Sequence, residues 1–237
     1  MPAAAPARWT EQRHADGEAL AEALARAVAE RLRAGLHVRG AALLAVSGGN
    51  TPRRFLRALA GQALDWSRVT VTLTDERWVP PAHERSNERL VRELLLREGA
   101  AAARFVPLYA EAADPESGLG AVAARIDALP LPFDALVLGM GTDGHVASLF
   151  PGGDRLHEAL DPRGKSRVLP LRAPAADEAR ITLTLPALTA TRALYVHIEG
   201  EAKRAVFEQA MAPTPTPLPV AAVVRGAPVT PQLYWCP

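Results

Sequence analysis

Three short apolar runs in this chain stop abruptly at clusters of polar residues, and that pattern constrains the fold more than any other feature. AALLAV (Ala41 to Val46) ends at Ser47-Gly48-Gly49-Asn50-Thr51, and VTVTL (Val69 to Leu73) ends at Thr74-Asp75-Glu76-Arg77. DALVLG (Asp134 to Gly139) runs into Met140-Gly141-Thr142-Asp143-Gly144-His145. Short apolar runs bounded by glycine and polar residues read as buried strands. Amphipathic segments lie between them. GEALAEALARAVAERLRAG (Gly17 to Gly35) reads as a helix capped by Asp16 and stopped at Gly35, and RRFLRALA follows Pro52, a residue suited to a first helical turn. SNERLVRELLLREG reads as a helix capped at Ser86 and closed by Gly99, and another is expected around Glu116 to Ala128. RITLTL (Arg180 to Leu185) and ALYVHI (Ala193 to Ile198) supply two more strands, and a helix follows from about Glu201 to Met211. The proline-rich APTPTPLP is a surface connection that cannot pair in a sheet, and a last strand is expected near QLYW.

Strands alternating with helices imply an α/β, Rossmann-like fold: a mostly parallel sheet with helices on both faces. In such sheets ligands bind at the carboxyl ends of the strands, so the three polar clusters should converge on one edge. A chain of 237 residues can bury one sizeable core, and a single domain over residues 1–237 is expected. Lys plus Arg number 27 against 26 Asp plus Glu, with no basic run interleaved with aromatics, so nucleic acid is not an expected partner. No apolar stretch is long enough to span a bilayer, and MPAAAPARW lacks the charged head and apolar run of a signal peptide. The single cysteine, Cys236, allows no disulfide within the chain. A cytoplasmic protein without membrane association is the expectation.

Gly139-Met140-Gly141-Thr142-Asp143-Gly144 contains a G-x-G-x-x-G pattern, the fingerprint of a dinucleotide-binding turn. Its context argues against that use. The motif lies past the middle of the chain, its helix would meet Pro151 within two turns, and Asp161 falls in the turn LDPRGK, not at a strand end. The glycines read instead as a tight loop with close backbone approach.

Taken together, the polar clusters carry a more specific signal. Ser47-Gly48-Gly49-Asn50-Thr51-Pro52, Asp75-Glu76-Arg77-Trp78-Val79-Pro80 with Ser86-Asn87 after it, and Gly139 through Pro151 (GMGTDGHVASLFP) resemble the 6-phosphogluconolactonase family in sequence and in order. Arg180 opening RITLT and Lys203 in GEAKRAVF are also in register, so the resemblance runs nearly end to end. The third motif is the most specific, since SGG-x-TP is shared with glucosamine-6-phosphate deaminases. Asn50 stands where serine is more usual, and HERSN lacks the acidic residue that often precedes Ser-Asn.

The resemblance implies hydrolysis of 6-phosphoglucono-δ-lactone to 6-phosphogluconate, the second step of the oxidative pentose phosphate pathway. It implies a small sugar-phosphate lactone as substrate, with no cofactor and no metal; a monomer or weak homodimer is expected. Ser47, Gly48, Gly49 and Thr51 lie between a strand and a helix N-terminus, where free N–H groups attract an anion. Read alone, that loop serves equally well as a cap and tight turn; the resemblance assigns it to the substrate phosphate, with Arg180 and Lys203 adding fixed charge. At the ester end His145 is the candidate general base, being the only one of six histidines in a glycine-rich strand-end loop. His14, His37, His157 and His197 read as packed or surface residues, and His83 is unassigned. Asp143 orients the imidazole, holds the reacting water, or simply forms a turn. Arg77 can donate to the developing oxyanion or hold the lactone hydroxyls, with Asp75 and Glu76 as ion-pair partners fixing it, and Trp78 packs.

Other chemistries fit less well. Ser47 does not sit in G-x-S-x-G, Ser148 falls in an apolar turn expected to be helical, and no H-E-x-x-H ligand set is present. An amino-sugar-phosphate isomerase or deaminase is the closest rival, but its Asp-Gly-His is followed by a polar Asn-Glu-Pro segment. Here Ala147-Ser148-Leu149-Phe150-Pro151 is acid-free. A non-catalytic sugar-phosphate sensor would not need Arg77, Asp143 and His145 together.

Overall fold

Residues 9–237 are described by the structure, a computed structural model, so the segment MPAAAPAR, read above for a signal peptide, lies outside the described residues. In chain order the elements are β1 (Thr10–Arg13), α1 (Gly17–Arg39), β2 (Ala42–Val46), α2 (Arg53–Ala60), β3 (Val69–Leu73), β4 (Asp75–Arg77), α3 (Asn87–Leu94) and β5 (Arg104–Val106). They continue with α4 (Pro115–Asp127), β6 (Ala135–Gly139), α5 (Leu156–Ala159), β7 (Val168–Leu171), β8 (Arg180–Leu183), α6 (Leu185–Thr189), β9 (Leu194–Glu199), α7 (Glu201–Met211), α8 (Pro219–Gly226) and β10 (Gln232–Cys236). Seven strands form one sheet in the order β1-β10-β9-β6-β2-β3-β5, and every pairing in it is parallel. Nearly every residue of β2, β3, β6 and β9 is buried, as expected where helices cover both faces.

The expected parallel α/β sheet is present, and β2 and β6 lie side by side at its centre. From there the chain builds outward in opposite directions, to β3 and β5 on one side and to β9, β10 and β1 on the other. That reversal leaves a crevice at the carboxyl ends of β2 and β6. RITLTL behaves differently from the sequence expectation. It forms β8 of a separate three-stranded antiparallel sheet, in the order β4-β8-β7. The strand pair β4–β8 places Arg77 opposite Arg180, joining two residues about a hundred positions apart at one wall of the crevice.

Helix α1 runs past the expected stop. Its apolar face is buried through Leu20, Leu24, Val28 and Leu32, and Gly35 continues that face. Gly35 packs so tightly on Asp134 that a Cβ would collide with the carboxylate. The stop is Gly40, whose φ of 74° is left-handed and whose N–H donates to Leu36 O at 3.0 Å. Helix α3 is shorter than expected. It ends at Leu94, because Leu95 and Ala100 turn inward and are fully buried, and Gly99 falls in a following 3-10 turn. Trp78 packs as expected, against Tyr109 at 5.0 Å between centroids, with its indole N–H donating to Ala112 O at 3.1 Å.

Glu76 does not pair with Arg77. It is fully buried beneath the N-terminus of α3, where Oε1 accepts from Asn87 N at 2.8 Å and from Arg77 N at 2.8 Å, and Oε2 accepts from Glu88 N at 2.7 Å and from Ser86 Oγ at 3.1 Å. A carboxylate at a helix start satisfies N–H groups that the helix itself leaves free. Burial pushes the Glu76 carboxyl up to about 7, with those backbone N–H groups pulling it back. A raised folded value means the fold holds a proton that the unfolded chain has released. The stability tied to Glu76 is therefore complete below the ordinary value of 4.5 and is lost as pH rises to about 7. The unfolding free energy of the protein, measured against a Glu76→Gln variant, should fall by roughly 3 kcal/mol across that interval. A difference that stays flat with pH would show the carboxyl ionised throughout.

Candidate active site

The carboxyl ends of β2, β3 and β6 and the β4–β8 pair enclose a cavity of about 310 Å³. Its walls include Ser47, Gly48, Gly49 and Thr51 from the first cluster, Asp75 and Arg77 from the second, Gly141 and His145 from the third, and Arg180 and Lys203 from later in the chain. Of the candidate catalytic and phosphate-binding residues, only Asp143 stands behind the wall, and it touches His145.

The first cluster opens helix α2, which has no side-chain cap. Among the described residues no hydrogen bond engages the backbone N–H of Gly48, Gly49, Asn50 or Thr51. Four free donors and the positive end of a helix facing a cavity form an anion cradle. Lys203, on α7, is half-buried beside it, with Nζ donating to Thr51 Oγ1 at 3.3 Å. Burial pushes its ammonium below the usual value, against the pull of Glu199. The Ser47 hydroxyl is committed elsewhere: it lies 2.8 Å from Thr74 Oγ1, donates to Val137 O at 3.2 Å and accepts from Gly139 N at 3.3 Å. Ser47 lines the cavity, but its N–H donates to Val137 O at 3.1 Å and its hydroxyl ties three strand ends together, so the free N–H groups of the loop are those of Gly48, Gly49, Asn50 and Thr51.

The third cluster forms no helix after its glycines; the next helix is the four-residue α5. A dinucleotide turn without its helix loses the dipole and the N–H groups that would hold a pyrophosphate. The loop instead folds Asp143 back on His145, with Oδ1 2.6 Å from Nδ1. Gly141 makes room for this pair, because a Cβ there would overlap both the imidazole and the Asp143 carboxylate. Phe150 lies against the imidazole with 4.1 Å between ring centroids, the rings tilted by 33°. Ser148 is not helical. It sits in a turn where Ala147 has a φ of 50° and Val146 bridges to Leu149, and its Oγ donates to Asp75 Oδ2 at 2.5 Å.

Arg77 Nη1 donates to Asn87 Oδ1 and to Arg85 O, each at 2.8 Å, so neither Asp75 nor Glu76 fixes the guanidinium as expected. Asn87 in turn donates to Asp75 O at 2.9 Å, and Gly48 has no Cβ because Asn87 fills that space. Asn87 is thus a site residue, although in the sequence it stands only as part of a motif with no role attached. Phe150 likewise carries no sequence signal for a place in the site. Arg180 is buried, its guanidinium lies 5.6 Å over the Phe150 ring, and it makes no side-chain hydrogen bond among the described residues. Burial lowers its pKa, but a guanidinium keeps its charge at neutral pH. The buried Nε atoms of Arg77 and Arg180 both lack hydrogen-bond partners among the described residues. No group of three His, Cys, Asp or Glu side chains is placed to hold a metal ion among the described residues.

A parallel α/β sheet that sets an anion cradle, three cations and an Asp–His pair around one crevice defines a class of protein that acts on phosphorylated small molecules. Comparison with known proteins narrows it. The family profile described as glucosamine-6-phosphate isomerases/6-phosphogluconolactonase matches residues 15–235. A 6-phosphogluconolactonase of Rhizobium meliloti is 51% identical over 220 residues, covering 92% of this chain and 95% of its own. One of Pseudomonas aeruginosa is 48% identical over 218 residues, covering 92% and 90%. The crystal structure of a 6-phosphogluconolactonase from Shewanella baltica superposes with a TM-score of 0.94 at 35% identity, covering 98% of this chain and 100% of that one. The chain belongs to the glucosamine-6-phosphate isomerase/6-phosphogluconolactonase family.

The close approach at Gly141 gives a direct test of the Asp143–His145 geometry. Gly141→Ala should leave the fold intact, read as an unchanged melting temperature, yet displace the imidazole and lower kcat by about 10²-fold, the scale of a roughly 1 Å misplacement. Unchanged turnover would mean that Gly141 does not set the position of His145.

Proposed function

We propose that this chain hydrolyses 6-phospho-D-glucono-1,5-lactone to 6-phospho-D-gluconate, with His145 as general base. One observation carries the proposal: the Asp143–His145 pair and the uncapped start of α2 with Lys203 face the same cavity, so one substrate can touch both. The phosphate sits on the N–H groups of Gly48, Gly49 and Thr51, with Lys203 and Arg180 as fixed charges. Asp143 accepts from Nδ1 and leaves Nε2 as the basic nitrogen. His145 takes a proton from water as the oxygen attacks C1, and Arg77, held through one nitrogen by Asn87 and Arg85 O, donates to the oxyanion. Collapse of the tetrahedral intermediate breaks the bond from C1 to the ring oxygen, which receives the proton back from the imidazolium, and the new carboxylic acid ionises to water. The names and high identity of the relatives support the substrate assignment. The rival amino-sugar chemistry calls for a carboxylate after Asp-Gly-His, where this cavity is lined by Ala147 and Phe150. No helix is long and apolar enough to cross a membrane among the described residues. The proposed setting is the cytoplasm, as a monomer or weak homodimer.

His145→Ala should lower kcat by about 10²–10⁴-fold with little change in KM, and the fall of kcat at acid pH should vanish with it. Lactone made in situ, corrected for its spontaneous opening, provides the assay. A variant with near wild-type turnover and an intact acid limb would remove His145 from the base role.

Lys203→Ala should act on binding, because the phosphate is held alike in ground and transition states. A decrease equivalent to roughly 1.5–3 kcal/mol in kcat/KM, carried mainly by KM, is expected. If the variant discriminates phosphorylated from unphosphorylated lactone as well as the wild type, Lys203 does not touch the phosphate.

A further inference from the structure

The loop Ala82 to Arg85, where the sequence departs from the family pattern, lies beside both active-site arginines. Arg85 O accepts from Arg77 Nη1 at 2.8 Å. The Arg85 guanidinium reaches the segment that precedes β8, with Nε 2.6 Å from Glu178 Oε1 and Nη1 3.0 Å from Asp177 Oδ2. Glu178 also faces Arg180, whose Nη2 is 3.6 Å from Oε2. Glu178 therefore stands between two arginines and is held hard by one and loosely by the other. The loosely held one is the buried residue with unpartnered donors, with a side-chain exposure of 8% against 41% for Arg85.

We propose that Arg85 is a positioning residue that keeps Arg180 available to the anionic substrate by holding Glu178 away from it. The backbone here is fixed, since Trp78 N donates to Ala179 O at 2.8 Å and β4 pairs with β8 up to Arg180. Between these points the Glu178 side chain can turn about its own bonds. With Arg85 present its carboxylate is shared, and the oxygen facing Arg180 carries no hydrogen bond. With Arg85 removed, Arg180 is the cation left to it, and attraction at a site this sheltered is stronger than in bulk water. The carboxylate would close onto the guanidinium as a two-pronged pair and occupy the donors that the substrate needs. Asp177 is a poor substitute for this control, being 80% exposed and directed at Arg85 alone. The remaining charged neighbours of Arg180 are Asp75 and Arg77; the Asp75 carboxylate accepts from Ser148 and Thr74, which hold it in place.

The inference rests on the reading of Arg180 as a substrate-binding residue, and a set of four variants separates the two. Arg180→Ala tests the reading, and an unaltered KM for the phosphorylated lactone would remove it and this inference with it. With that effect in hand, Arg85→Ala should raise KM about tenfold with kcat within about twofold, the scale of one charge-assisted hydrogen bond withdrawn from an anion. Glu178→Gln alone should leave KM at or below the wild-type value. The double variant Arg85→Ala with Glu178→Gln should return KM to within about twofold of wild type, because the competing charge is gone. A purely structural clamp behaves in the opposite way, since removing its second half restores nothing. An Arg85→Ala enzyme with unchanged KM, or one whose defect persists in the double variant, overturns the inference.

Discussion

The parallel pairing of β2 with β6, closed at its end by Ser47, is the constraint on which the rest of the site depends. Val46 lies beside Val137, Ser47 N donates to Val137 O at 3.1 Å, and the Ser47 hydroxyl reaches both Thr74 and Gly139 N. Three strands are thus held level at the point where each gives way to a loop. The loop after β2 can then present its N–H groups and the loop after β6 its imidazole to one cavity. A slip of one residue in this pairing would send side chains to the opposite face of the sheet. It would also separate the anion cradle from the Asp143–His145 pair. The sheet positions the loops through register, and the side chains that do so, Ser47 and Thr74 among them, are buried.

The small antiparallel sheet solves a different problem, which is how to hold two guanidinium groups together beside a cavity. Pairing of β4 with β8 sets Arg77 opposite Arg180, an unfavourable placement of like charges. Asn87, Arg85 O and Glu178 meet that difficulty with neutral oxygens on Arg77 and a shared carboxylate near Arg180. Neither arginine is neutralised by a tight ion pair of its own. Buried donors left without partners are costly to a fold and become favourable when an anion arrives. In the proposed reaction the substrate anion would supply partners to these guanidinium groups, and that gain would be available for binding.

Much of this was legible in the sequence where local chemistry and fold agree. The parallel strands β2, β3, β6 and β9 are apolar runs bounded by glycine and polar residues, and the three clusters after β2, β3 and β6 converge as their positions require. Other elements carry no such signature. β1 is an edge strand of four exposed residues, TEQR, held by a single neighbour, so no alternation marks it. β7 contains Pro170, which an edge position tolerates and a sequence reading rejects. α8 begins at Pro219 directly after the proline-rich connection and is composed largely of alanine and valine, poor signals for a helix end or face. Glu76 was misassigned for a related reason. Its acid lies next to Arg77 in sequence, but adjacent residues in a strand point to opposite faces, so Glu76 turned to α3 instead.

A shared fold does not fix the reaction, and in the proposed function the turn after Asp143-Gly144-His145 bears on the choice. A monomeric glucosamine-6-phosphate deaminase shares the architecture, with a TM-score of 0.76 at 16% identity, a likeness that extends to the fold alone. In the proposed reaction the anion cradle and the Asp–His pair need only hold a phosphorylated ring and take one proton from water. A δ-lactone opens unaided, so its barrier is modest, and one base with one oxyanion donor suffices in principle. Proton transfer at carbon needs a second acid or base aimed at the same ring. In this chain the turn from Ala147 to Pro151 carries no acid, and Phe150 packs tilted against the imidazole and lines the cavity. Ala147 and Phe150 line the cavity there, and neither side chain titrates. In the proposed reaction, selectivity for lactone hydrolysis would follow from what this turn withholds as much as from what the loops before it supply.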